Sequence, residues 1–102
     1  MATINIHLKN GALSCTPNDG HVRARHGSVL EWVSEGEEFT LSFQLLGGGR
    51  AWPFQGPPPQ QPTRHFKAAL LPLGADAGDA PAYKYSVTVG GKVLDPIVIV
   101  DK

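Results

Sequence analysis

Short segments in which apolar and polar residues alternate recur along this 102-residue chain, and they constrain its fold more than any other feature. A period of two is typical of strands with one buried face, because successive side chains of a strand point to opposite sides. No window shows the 3.6-residue period of an amphipathic helix. The alternating positions are Ile4, Ile6 and Leu8; Val22 and Ala24; Leu30 and Trp32; Phe39, Leu41, Phe43 and Leu45; Phe66, Ala68 and Leu70; and Tyr83, Tyr85, Val87 and Val89.

The last apolar segment, Ile97 to Val100, is a continuous β-branched run. We expect it to form a strand that is central in its sheet or covered on both faces. With it the chain has about seven strands, spaced roughly ten residues apart and separated by turn residues, which predicts an all-β sandwich or small barrel. The length is that of one ordinary domain, so we expect a single domain over residues 1–102.

One connection is unusually long and rich in glycine and proline. Gly47 to Pro62 holds nine of the 21 Gly and Pro residues of the chain. Connections of this length are uncommon in compact domains and are usually functional or disordered. The segment predicts a stiff crossover between two sheets, pinned by Trp52 and Phe54. Alternatively, Trp52 and Phe54 stay partly exposed and anchor a protein or small ligand, with Arg50 and Arg64 nearby.

The same region contains a second motif. Residues 59–64, Pro-Gln-Gln-Pro-Thr-Arg, fit the Pro-x-x-Pro-x-Arg pattern that SH3 grooves bind as polyproline II, with Arg64 facing an acidic rim. Any proline-rich stretch produces this match easily, so a structural crossover is the preferred interpretation.

The order of these segments resembles the cupredoxin fold, the Greek-key β-sandwich of plastocyanin and azurin. The stretch 22–32 looks like that family's paired strands, in which an alternating strand reaches a glycine turn and returns through an apolar residue two before an aromatic. Residues 38–43 look like the strand that carries the first copper-binding histidine. Residues 83–89 and 95–100 look like the last two strands, whose connecting loop carries the Cys, His and Met ligands.

The copper ligands of that family are missing from these positions. The resemblance places Phe39 at the first histidine, Val87 at the cysteine and Gly90 near the second histidine, and the only methionine is Met1. A type 1 centre needs two imidazoles and a thiolate with a weak axial ligand. The resemblance therefore implies a cupredoxin-like fold without a type 1 copper site, and we expect no cofactor.

A non-standard metal site remains the main alternative. Such a site would use His21, His26 and possibly the single Cys15, which requires these side chains to converge. Solvated histidines and a small buried cysteine are the commoner case. A thiolate at Cys15 activated by His21 is also conceivable, but the chain has no Gly-x-Ser-x-Gly elbow, His-Glu-x-x-His motif or phosphate loop. An enzyme is therefore the least favoured class.

Charge and hydropathy exclude further classes. Nine basic and nine acidic residues balance, so the excess of Lys and Arg expected of a nucleic-acid binder is absent. The charges are clustered, however: His21, Arg23, Arg25 and His26 precede all four glutamates, Glu31, Glu35, Glu37 and Glu38, and a hairpin would set the two groups face to face. A charge-balanced solvated face is the preferred interpretation, and an electrostatic docking surface the alternative.

No apolar run is long enough to span a membrane, and no secretory signal is visible. These features predict a soluble protein, cytoplasmic by default, or periplasmic if a signal peptide has been removed. Together, the patterns predict a non-catalytic binding or interaction module that contacts an unknown protein or small ligand through the 47–62 loop. A homo-oligomer is left open, and a metal-handling protein is the alternative.

Overall fold

Nine strands make up most of the described part of the chain. The computed structural model describes residues 2–46, 52–59, 61–73 and 81–101. Besides strands, these residues contain one short 3₁₀ turn, Asn18–Gly20. The strands are β1 (Ala2–Lys9), β2 (Ala12–Thr16), β3 (Val22–Arg25), β4 (Val29–Ser34), β5 (Thr40–Leu45), β6 (His65–Ala69), β7 (Ala82–Val89), β8 (Lys92–Leu94) and β9 (Ile97–Asp101).

The strands form two sheets. One has four strands in the order β2-β1-β4-β6; in the other, β3, β9, β7 and β5 follow one another and β8 pairs with β7. β1 with β4 and β3 with β9 are parallel pairs, and the other pairs are antiparallel. Buried apolar residues of both sheets belong to one core cluster. The all-β architecture predicted from the alternation is confirmed.

The predicted inward positions mostly form this core. Trp32 and Tyr85 are 0% exposed, although both are large. Leu8 is the clear exception and is 37% exposed. The reason is the register of the parallel pair, in which Ile6 is opposite Ser34 at the end of β4. β1 continues past this point, so no residue of β4 lies beside Leu8.

Two strands were not predicted. The segment around Cys15 was expected to be a loop, but it forms β2, which pairs with β1 through a hairpin at Asn10 and Gly11. Both turn residues have positive φ, 53° and 76°, as in the two-residue hairpin turns that match the twist of the strands. The second missed strand is β8, which has only three residues.

The pairing expected between the segments on either side of Gly27 is wrong. β3 and β4 belong to different sheets: β3 pairs with β9, whereas β4 pairs with β1 and β6. The turn at residues 26–28 thus carries the chain from one sheet to the other. As a result, the basic group on β3 does not face Glu31 across a hairpin.

The β-branched run Ile97 to Val100 lies in the middle of its sheet, as predicted. β9 is hydrogen-bonded to β3 on one side and to β7 on the other. Val98 and Val100 are buried, whereas Ile97 and Ile99 on the other face are only half-buried. Among the residues that the structure describes, no helix is long and apolar enough to cross a membrane.

Candidate functional site

The glycine- and proline-rich connection carries the chain from β5 in one sheet to β6 in the other, as the crossover interpretation predicted. Phe54 forms an isolated antiparallel bridge with Leu70, directly after β6. Two backbone hydrogen bonds flank this bridge: the N–H of Gln55 donates to the Ala69 carbonyl at 2.9 Å, and that of Leu71 donates to the Pro53 carbonyl at 2.8 Å. The crossover therefore extends the sheet beside β6.

Phe54 is a core residue and not a surface anchor. Only 2% of it is exposed, and its ring centroid lies 5.7 Å from that of Trp32 and 5.2 Å from that of Phe43. The expectation that Phe54 stays partly exposed is wrong. The sheet-like pairing with Leu70 fixes its backbone so that the ring enters the space between the sheets, where burying an aromatic side chain contributes most.

Trp52 is the half-buried aromatic residue of the crossover. Its ring packs against Phe43, Phe54 and Phe66, with centroid distances of 5.5, 5.2 and 5.7 Å. The indole Nε1–H donates a 2.8 Å hydrogen bond to the carbonyl of Gly56, which closes the loop on itself. Packing and hydrogen bond together hold this side chain in one orientation.

Exposed prolines follow this anchor. Pro57, Pro58 and Pro62 are exposed. The far end of the segment is fastened at Thr63, whose backbone N–H and C=O both bond to Phe39, at 3.0 and 2.8 Å. The proline segment is thus held at both ends.

Of the two arginines predicted to lie near Trp52 and Phe54, the structure describes only Arg64. Arg64 is exposed, and its Nε–H donates to the Gly36 carbonyl at 2.8 Å, which ties the crossover to the turn between β4 and β5. Arg50 lies outside the described residues. The structure therefore brings Trp52 and Arg64 to the crossover surface, and it withdraws Phe54 into the core.

The positions at which the resemblance places copper ligands do not carry ligand side chains. Phe39 directly precedes β5 and bridges to Thr63, Val87 lies on β7 opposite Leu41, and Gly90 follows the last residue of β7. Phe39 and Val87 are 1% and 0% exposed. Apolar side chains thus occupy the two positions at which the resemblance would require imidazole and thiolate, and these residues do not fit a type 1 copper centre.

The alternative metal ligands do not converge. His21 accepts a 3.0 Å hydrogen bond at Nδ1 from the Ile97 N–H, and His26 accepts one of 2.9 Å at Nδ1 from the Leu73 N–H. The two histidines flank β3, so about 16 Å of extended chain separates them. Within the described ranges no group of three or more His, Cys, Asp or Glu side chains could hold a metal ion.

Cys15 is buried and poorly suited to nucleophilic chemistry. It is 1% exposed, and burial, with a smaller contribution from Asp19, raises the pKa of its thiol to about 11. Because the thiolate is the reactive form, a thiol with this pKa is almost entirely protonated and inert at neutral pH. Activation by His21 is not supported, because no hydrogen bond joins the Cys15 thiol to the His21 ring in the described part of the chain, and the His21 Nδ1 accepts the Ile97 amide instead.

The clustered charges form pairs other than those expected. The Arg23 guanidinium makes a two-pronged contact with Asp101 on the neighbouring strand, at 2.8 and 2.9 Å, and this hydrogen bond lowers the pKa of the carboxyl group. Glu31 instead accepts hydrogen bonds from His65 at 2.5 Å and from Thr3 at 3.1 Å, and the bond from His65 is the main cause of its lowered pKa.

Two adjoining grooves flank the beginning of β3, and sequence reasoning did not identify them. The larger, of about 410 Å³, has Ile97 and Ile99 as its apolar wall, and the smaller, of about 160 Å³, is bordered by the first residues of β1. The signal was present in the sequence, because the β-branched run of β9 leaves two isoleucines on the solvent side. The four residues that line both grooves are Asn18, His21, Val22 and Arg23.

Comparison of the chain with models of known protein families finds no match, and comparison with curated proteins finds none either. Its function is therefore inferred from its own residues and geometry.

Proposed function

We propose that this chain is a non-catalytic binding module on a copper-free, cupredoxin-like Greek-key fold, with the crossover between β5 and β6 as its contact surface. The all-β architecture of two sheets that share one core supports the cupredoxin-like assignment. The placement of Phe39 directly before β5 and of Val87 on its partner strand β7 supports it as well, because the resemblance puts two of the family's copper ligands at these positions.

The chemistry of the described residues favours binding over catalysis. Cys15 is buried and protonated, and the Ser34 hydroxyl is buried and donates to the Glu37 carbonyl at 2.6 Å. Neither side chain is available as an activated nucleophile, which requires an accessible group beside a base.

Trp52 is the observation that carries the proposal. Aromatic side chains held rigidly in ordered loops lose little conformational entropy when a partner binds, and tryptophan is enriched among the residues that dominate binding energy. Here the ring is fixed by three aromatic neighbours and by the hydrogen bond to Gly56, and exposed prolines adjoin it. Trp52 thus presents a rigid, half-buried aromatic surface beside exposed prolines.

Site-specific photocrosslinking tests this surface. A photoreactive amino acid is placed at Pro58, and at Val93 as a control, because Val93 is 54% exposed but lies on β8. We expect a discrete crosslinked product from position 58 in the native lysate and none from position 93. Adding Trp52→Ala to the position-58 protein is expected to reduce that product by at least about tenfold, as loss of a dominant contact does.

The fold must survive these changes, so thermal unfolding of each variant is measured in parallel. Trp52→Ala removes a half-buried side chain and should leave a cooperative transition. Phe54→Ala is unsuitable as a binding probe, since truncating a buried Phe costs about 3–5 kcal/mol. Equal products from positions 58 and 93, no product from either, or a product at 58 that is insensitive to Trp52→Ala in a folded protein would contradict the proposal.

A further inference from the structure

β3 forms an open edge of the five-stranded sheet. It pairs with β9 on one side, and no described strand pairs with it on the other. In a parallel pair, every second residue directs both its N–H and its C=O to the neighbouring strand. The His26 N–H donates to the Asp101 carbonyl at 2.6 Å, so Ala24 also faces β9, and Arg23 and Arg25 direct their backbone groups outward.

Arg23 presents a free backbone donor and acceptor. The Arg25 carbonyl already accepts the Ser28 N–H at 3.1 Å. The backbone N–H and C=O of Arg23 point away from β9, and no other described strand pairs with β3. Such an unpaired donor and acceptor on an edge strand is a template for an added strand.

The two grooves lie on opposite sides of this same strand. The larger groove follows the outer face along Ile97 and Ile99, and the smaller follows the inner side along Ala2 and Ile4 of β1. Because side chains of an extended peptide alternate between faces, a strand added to β3 would direct successive side chains into the two grooves in turn. Backbone pairing with alternating side-chain pockets is the usual arrangement for peptides bound by strand addition.

The charge of the edge selects among partners. Asp101 compensates Arg23, but Arg25 is exposed and makes no ion pair with any described residue. A second copy that paired through its own β3 would bring these arginines together, and like charges opposite each other are destabilising. Charged edge residues commonly prevent association, so the edge excludes copies of itself and favours an acidic chain.

We propose that β3 binds an extended peptide with alternating apolar and acidic residues as an additional strand of the five-stranded sheet. The backbone of Arg23 provides the central hydrogen bonds, the flanking grooves receive the side chains, and Arg25 attracts the acidic residues. This site is independent of the crossover surface.

Two synthetic peptides test the proposal: acetyl-Val-Glu-Val-Glu-Val-Glu-amide and its counterpart with Lys in place of Glu. Each is titrated into ¹⁵N-labelled protein. For the Glu peptide we expect saturable shifts at the amides of β3, Asn18 and Ile97, together with slower hydrogen exchange of the Arg23 amide. The Lys peptide should bind at least about tenfold more weakly, because electrostatic complementarity discriminates between partners.

Two variants separate backbone pairing from charge. Arg23→Pro removes the outward N–H without removing a bond to β9 and should abolish binding, whereas Arg23→Ala, which also loses the ion pair with Asp101, should bind the Glu peptide to within about threefold. Arg25→Glu leaves the backbone unchanged and should reverse the preference between the two peptides. It therefore tests the charge selectivity even if Arg23→Pro does not fold. Absence of saturable shifts, equal binding of both peptides, or shifts away from β3 would overturn the proposal.

Discussion

The Tyr85 hydroxyl is the principal polar group inside the core. It donates a hydrogen bond to the carbonyl of Gly20, and both residues are buried. Gly20 has φ +86°, and a Cβ there would lie 3.0 Å from the Tyr85 oxygen and 3.1 Å from the Cys15 Cβ. A glycine at this position allows the close approach. The hydrogen bond from Tyr85 to Gly20 therefore ties the 3₁₀ turn to β7. The Trp32 indole N–H lies beside the same hydroxyl, which does not accept it in normal hydrogen-bond geometry.

Replacing Tyr85 by Phe isolates this hydrogen bond. The substitution keeps the ring in the core but leaves the buried Gly20 carbonyl without its donor, and an unsatisfied buried group costs about 1–3 kcal/mol. We expect the free energy of unfolding, measured with urea at neutral pH, to fall by that amount while the slope with denaturant stays unchanged. An unchanged midpoint would show that the hydrogen bond to Gly20 contributes nothing.

Individual strands were predictable from the sequence where one face is strongly apolar. β7 is the clearest case, since Tyr83, Tyr85, Val87 and Val89 alternate with polar residues and are all buried. β2 was missed because its one fully buried residue, Cys15, is small and the surrounding segment is rich in turn residues. The alternation reports burial and not pairing, so it could not show that β3 and β4 join different sheets.

The same limit applies to the candidate site. A Trp-Pro-Phe sequence in a loop gives no sign of which aromatic ring enters the core, because this depends on the pairing of Phe54 with Leu70, distant in the chain. The open edge of β3 was equally hidden. An edge strand and an interior strand can show the same alternation, and only the sheet order distinguishes them.

The hairpin between β1 and β2 makes a further test at the level of elements. Gly11 has φ +76° with open space around a built Cβ, so Gly11→Ala should cost about 1 kcal/mol through backbone strain alone. Gly36→Ala is the matched control, because its Cβ also meets nothing within 4 Å and its φ is not positive. We expect the midpoint temperature of thermal unfolding to fall for Gly11→Ala and not to fall for Gly36→Ala. Equal shifts would argue against the turn geometry.

At the scale of the whole molecule, neither the balanced charge nor the Gly and Pro content is uniform. The crossover takes up much of the Gly and Pro excess and closes the space between β5 and β6 with Trp52 and Phe54. The open edge of β3 belongs to the strand at the other end of the five-stranded sheet from β5. The two proposed surfaces therefore adjoin opposite edges of that sheet, and one molecule could use both at once.

Burial of ionisable groups in the core makes the stability of the whole fold sensitive to alkaline pH. Burial raises the pKa of Cys15 from 9.0 to about 11, and it raises the pKa of Tyr85 as well. The folded protein thus retains protons that the unfolded chain releases, so the contribution to stability is complete below pH 9.0 and is lost as the pH rises towards about 11.

Cys15→Ala tests this linkage. Removing one such group should make the decline between pH 9.0 and about 11 shallower by up to about 1.4 kcal/mol per pH unit, which corresponds to one proton. The measurement is the free energy of unfolding in urea at several pH values from neutral upwards. The smaller side chain lowers stability by the same amount at every pH, so the slopes and not the absolute values are compared. Parallel curves for the two proteins would mean that the Cys15 thiol titrates alike in the folded and unfolded chain.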